Sequence, residues 1–187
     1  MRTKEDVIKI YGNELNSFES EKSKIREFTL TIMTYMPDYF FEDEKIIIHT
    51  KSCMVMANEL FKLECFRDKF QMSERDSIRC ALILHDAMLN GNGSERVYDH
   101  PEYVSTYIMT DYWESLLPKF MRKEIADMIS SHEGQWNRSE TDEYKLKKPE
   151  SDAEIFVHMC VHVVSVPECT VSLPCVVNAY ESFYGNR

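Results

Sequence analysis

Five side chains suited to holding a metal ion recur through the middle of the chain: His49, the adjacent pair His85 and Asp86, His100 and His132. Imidazole nitrogens together with a carboxylate oxygen suit borderline divalent cations such as iron, manganese, cobalt, nickel or zinc. Successive residues of a helix point about 100° apart. The pair His85–Asp86 therefore serves one site only where a helix end faces the ion, and its carboxylate can then bridge two ions. A His–Asp dipeptide alone carries little information, and His158 and His162 read as ordinary surface or satisfied core histidines. The signal lies in the order and context of the whole set.

The elements that would have to position these residues are helical. Apolar residues recur at helical spacing in most segments, and strand-like alternation is nearly absent. The pattern predicts a helix over 21–35, ending before Pro37. A second is expected over 45–63, with Ile48, Val55, Ala57 and Leu60 among its inward residues. A third starts after Ser73, which with Asp76 resembles a capping pair, and runs to about residue 86. Pro101 fits the first turn of a helix reaching about residue 112, and Pro118 opens another that ends near His132. Ser151 and Glu154 form a capping box for a helix through about residue 164, ended by Pro167, and a last helix is expected over 174–183. Loops fall at 87–99 and 133–150, and long loops in compact domains are often functional. Each candidate ligand lies at or near a helix end, so a bundle can gather them at one mouth. The expected fold class is all-α.

Composition narrows the partners. The chain has 187 residues, 43% of them hydrophobic, enough for one domain with a sizeable core. No apolar run approaches the roughly 20 residues of a membrane helix, and the N-terminal MRTKEDVIKIYG lacks an apolar signal core, so a cytoplasmic, membrane-free protein is expected. A net charge of −10 disfavours long nucleic acid. It does not exclude a small phosphorylated substrate, because bound cations reverse the sign locally. Six cysteines form no CxxC pair, and Cys53, Cys80 and Cys160 sit among apolar residues at helical spacing. Reduced, mostly buried thiols without a structural disulfide are expected.

Taken together, several segments resemble the HD superfamily of metal-dependent phosphohydrolases. IRCALILHDAMLNG is similar to its signature, an apolar helix ending in HD followed by a Gly-containing loop. IIIHTKSCMVMANEL resembles its first-histidine helix, DHPEYVSTYI its HPE segment, MISSHEGQW a later His-bearing helix end, and KKPESDAEIFVHM its last metal-site helix. The likeness covers about residues 45–165 as a helical bundle, with 1–44 as a helical extension packed on it and 166–187 as a C-terminal helical segment. The order His, His-Asp, His, His is similar to the two-metal branch that includes HD-GYP phosphodiesterases.

The resemblance implies that His49, His85 and Asp86 hold a first ion, with Asp86 bridging, and that His100 and His132 hold a second. Catalysis would then centre on Asp86, His85 and Glu133, with water activated by one or two divalent ions attacking phosphorus. Gln135, Arg138 and Arg96 would contact the substrate, a nucleotide, cyclic nucleotide or similar small phosphate ester. An oligomer is compatible with this reading. Two positions depart from the family pattern. Val161 stands at or near the place of the last aspartate ligand, for which His158 or His162 could substitute and to which Asp152 is the nearest acid. Leu89 stands where many members carry a phosphate-holding lysine, leaving Arg96, Arg138, Lys145 and Lys147 as loop cations that could replace it. The departures keep two alternatives open: a degenerate HD protein that binds a nucleotide or protein without turnover, and an HD-type di-iron oxygenase.

Overall fold

The stretch ending at the His–Asp pair, which closes on the unbroken apolar run CALIL, is built to be buried. In a computed structural model, which describes residues 2–19, 23–91, 93–134 and 146–166, every residue from Asp76 to Leu84 is buried. In chain order the helices are α1 (Lys4–Asn16), α2 (Lys24–Met33), α3 (Tyr39–Glu42), α4 (Glu44–Leu60), α5 (Glu64–Arg67), α6 (Met72–Leu84), α7 (His100–Ile108), α8 (Lys119–Ser130) and α9 (Asp152–Ser165), with a 3-10 turn at Asp111–Trp113. The described residues contain no strand, so the chain is all-α, as its spacing predicts. Helix α6 is the axis of the bundle and packs against α2, α4, α8 and α9.

Two polar residues on α6 are buried because they satisfy each other. Arg79 Nη1 lies 3.2 Å from Asp76 Oδ1 and 3.1 Å from Glu19 Oε1, and its Nε donates to Asn58 Oδ1 at 3.0 Å. Asp76 also accepts the Glu19 backbone N–H at 2.9 Å. Its expected capping role is therefore corrected. The helix starts at Met72, and Gln71 and Glu74 form the reciprocal cap. The buried stripe of α4 is also rotated from expectation. Ile46, Thr50, Cys53, Met54 and Ala57 are buried, whereas Ile48, Val55 and Leu60 are only half-buried. Packing against both α6 and α9 sets this phase.

Helix α7 ends at Ile108, short of the expected 112. Arg122 of α8, fully buried, donates to the carbonyls of Leu117 (2.8 Å), Ile108 (3.0 Å) and Thr110 (2.8 Å) and pairs with Glu114. The bond to Ile108 satisfies a carbonyl freed where α7 stops, and the other two tie the connection between α7 and α8 to the same guanidinium. At α9, Ser151 Oγ accepts the Glu154 N–H at 3.2 Å, as the capping box requires. The reciprocal half differs, since the Glu154 carboxylate takes the Glu150 N–H at 2.9 Å.

The N-terminal helices share the main core. Tyr11, Phe28, Ile32 and Phe40 are buried in one cluster with residues of α4, α6, α8 and α9. The sequence reading passed over α1, although Thr3 and Asp6 cap it reciprocally. Cys53, Cys80 and Cys160 are free and buried, while Cys65 is free but exposed. Cys169, Cys175, the helix stop at Pro167 and the helix expected over 174–183 lie outside the described residues.

Candidate metal centre

The five sequence candidates meet at one end of the α6 axis. His85 caps the C-terminus of α6 and Asp86 follows it. His49 comes from the second turn of α4, and His100 is the first residue of α7. His132 lies just past the end of α8. His85, His100 and His132 are buried, and Asp86 is nearly so.

Helix ends leave unpaired carbonyls; His85 and His132 use such carbonyls, and His100 uses one in the turn before α7 in the same way. Nδ1 lies 2.8 Å from Leu82 O in His85, 2.9 Å from Val97 O in His100 and 2.7 Å from Ile129 O in His132. A carbonyl only accepts, so Nδ1 carries the proton in each ring and Nε2 of the neutral ring carries the lone pair. All of these Nε2 atoms, with that of His49, are turned toward Asp86. Oδ2 of Asp86 lies 3.4 Å from His85 Nε2 and 3.8 Å from His49 Nε2. Oδ1 lies 3.1 Å from His100 Nε2 and 3.6 Å from His132 Nε2. Each carboxylate oxygen thus faces two histidines.

Acceptors aimed at an acceptor need positive charge between them. His85 Nε2 and His100 Nε2 are buried without a well-formed hydrogen bond, which costs free energy unless a proton or cation intervenes. Burial alone would raise the Asp86 pKa, but the charge of His85 and the close approach of the His100, His132 and His85 rings outweigh it and hold the carboxyl well below its usual range. Burial lowers His85, yet attraction to Asp86 prevails and its pKa is raised. Burial, reinforced by His85, lowers His49 to about 4. Burial is also the main cause of the lowered pKa of His132. An ionised carboxylate ringed by imidazoles is a donor set that fits a divalent cation. Within this end of the bundle, one donor atom each of His85, Asp86 and His132 lies within 4.8 Å of the others, and the same holds for His100, His132 and Glu133.

Glu133 therefore belongs to the centre. Its Oε1 is 3.5 Å from His100 Nε2, and it pairs with Arg96. A pocket of about 410 Å³ opens over the cluster, lined among others by Lys45, Leu89, Arg96, His158 and Val161. Val161 and Leu89 are apolar wall at the two departure positions. His158 is no close donor to Asp86. Its Nδ1 donates to His132 O at 2.8 Å, and its ring lies where a Cβ on Gly134 would clash at 2.6 Å. Gly134 also has φ +58°. Asp152 is excluded as a ligand, because it sits exposed at the start of α9 and pairs with Lys69 at 2.8 Å. Lys147 is not a pocket cation either, since Glu154 (3.1 Å) and Asp127 (3.4 Å) hold it between α8 and α9. Gln135, Arg138 and Lys145 lie outside the described residues.

The sequence reading missed two residues here. Lys45 lies one turn before His49 on α4 and lines the pocket mouth. Cys53 lies one turn after it, with Sγ 3.7 Å from His49 Nε2. Their i±4 spacing from His49, which puts all three on one helix face, was the available signal.

Fold and cluster together define an all-helical protein with a buried histidine–carboxylate centre able to hold a metal ion. Comparison with protein-family models, with curated proteins and with solved structures finds no match. No helix among the described residues is long and apolar enough to cross a membrane.

Proposed function

We propose that this protein is a metal-dependent phosphohydrolase of the HD type, acting on a nucleotide, cyclic nucleotide or similar small phosphate ester. The observation that carries the reading is the Asp86 carboxylate, with two histidine Nε2 atoms at each oxygen. That division suits a carboxylate bridging two cations, His49 and His85 serving one and His100 and His132 the other. When bound, the cations would supply hydroxide near neutral pH and positive charge against phosphate oxygens. The chain's own residues do the rest. Backbone carbonyls fix the tautomers of His85, His100 and His132. Glu133, held by Arg96 and His100, is placed to accept or return a proton at the pocket floor. Lys45 at the mouth has no ion-pair partner among the described residues, and it offers the phosphate a cation that Leu89 does not.

The test is elemental analysis of the purified protein, followed by a screen of nucleotides, dinucleotides and cyclic nucleotides with Mn²⁺, Co²⁺ or Fe²⁺. Turnover that chelator abolishes supports the reading. Asp86→Ala should lower metal affinity more than about 100-fold and remove turnover, since a first ligand should matter more than the outer partners whose loss costs 10–100-fold. A second reading, ligand binding without turnover, draws support from the apolar wall at Val161 and Leu89. Tight binding of an unchanged nucleotide would favour it. Consumption of O₂ with an organic substrate by the metal-loaded protein would favour a di-iron oxygenase instead.

A further inference from the structure

The His49 side of the centre has a fourth donor of a different chemical kind. Cys53 is fully buried on α4, and its Sγ lies 3.7 Å from His49 Nε2. One donor atom each of His49, Cys53 and His85 lies within 4.8 Å of the others. A tetrahedral zinc with its usual bond lengths holds a sulfur and a nitrogen about 3.6 Å apart, and nitrogen or oxygen donors about 3.4 Å apart. Asp86 Oδ2 lies 3.8 Å from His49 Nε2 and 3.4 Å from His85 Nε2, beside two members of that set. The buried His85 Nε2, without a hydrogen-bond partner, is aimed into the same space.

We propose that His49, Cys53, His85 and Asp86 form a closed four-ligand site for a thiophilic cation such as Zn²⁺ or Cd²⁺, and that its occupancy shuts off turnover. The inference rests on the phosphohydrolase reading for its consequence, but not for the binding itself. Four protein ligands around a tetrahedral ion leave no position for water or substrate, the mark of a structural rather than a catalytic site. A harder ion such as Mn²⁺ prefers oxygen and imidazole donors and leaves the thiol aside, keeping positions open. On binding the softer ion, Cys53 forms an Sγ–metal bond and gives its proton to solvent. Cys53 would thus set which cations support activity and which inhibit it.

The test is titration of the full chain with CdCl₂, read by the ultraviolet thiolate-to-cadmium charge-transfer band. The band should appear with the wild type, persist in Cys65→Ser and vanish in Cys53→Ser. In Cys53→Ser the Cd²⁺ affinity should fall at least about tenfold relative to the Mn²⁺ affinity of the same variant. If Cys53→Ser does not fold, Cys53→Ala and protection of wild-type Cys53 from alkylation by Cd²⁺, mapped by mass spectrometry, give the same answer. Cd²⁺ bound without the band, or a band that survives loss of Cys53, overturns this inference and leaves the phosphohydrolase reading standing. Binding of neither Cd²⁺ nor Mn²⁺ overturns both. A Cys53-dependent band in a protein that hydrolyses no phosphate ester supports the closed site and removes only its proposed consequence.

Discussion

Protons and cations compete for the same few atoms in the centre, and backbone carbonyls decide which atoms those are. His85, His100 and His132 each spend Nδ1–H on a carbonyl three residues back, leaving Nε2 as the donor available to a metal. Lys45, by contrast, acts through charge alone. Replacing Lys45 with Met should leave the metal content unchanged and raise the KM for a phosphate substrate about three- to tenfold, the modest effect expected of an exposed cation. Steady-state kinetics beside elemental analysis would check this. The five ligand candidates were legible from the sequence because histidines next to helix boundaries, in that order, form a pattern. Cys53 and Lys45 were not, because a cysteine among apolar residues looks like core and a lysine at a helix start looks like surface. Only the phase of α4 shows that both share a face with His49.

At the scale of elements, the α7–α8 hairpin carries His100 and His132 and depends on one buried guanidinium. Arg122 binds the carbonyls of Leu117 and Ile108 and shares that of Thr110 with the Trp113 N–H. Arg122→Met should destabilise the protein by about 3 kcal/mol, because the buried Leu117 and Ile108 carbonyls would be left unpaired. For a chain of this size that lowers Tm by about 6–12 °C. Calorimetry should show this, and the loosened hairpin should weaken metal binding as well. Helix α6 was legible because its apolar residues, at helical spacing, run into the His–Asp pair. Its start was misplaced by two residues because Ser73 and Asp76 imitate a cap, while the long-range bonds of Asp76 to Glu19 and Arg79 leave no local trace in the sequence. The end of α7 was misplaced for a similar reason, since Arg122 closes it from the next helix.

For the molecule as a whole, the buried histidines set an acid limit. His49 titrates near 4 when folded, against about 6.5 when unfolded. Below pH 6.5 the unfolded chain takes a proton that the folded protein declines, so stability falls as pH drops toward 4. His132 shifts in the same direction. The raised pKa of His85 contributes stability that is fully present below 6.5 and is lost only as pH rises through that raised value. The lowered pKa of Asp86 contributes stability that is lost only below about 4. Neither masks the loss between 6.5 and 4, where His49 alone accounts for up to about 3 kcal/mol. In chelator-treated protein, Tm should fall by about 6–12 °C across this interval, and His49→Gln should flatten the decline. A wild-type Tm flat from pH 6.5 to 4 would overturn the assignment. Bound metal should push the loss to lower pH, because it stabilises the neutral imidazoles.

The centre sits where α6 and α8 both end, at Leu84 and Ser130. The aligned peptide dipoles of a helix place about half a negative elementary charge at its C-terminus. Two such ends converge here, while the N-terminus of α7, which begins at His100, brings the opposite sign. The main chain thus contributes charge of both signs at the centre, which no side-chain substitution removes. Asp86→Asn should keep a weak, measurable affinity for divalent cations, carried by the four imidazoles that remain around it.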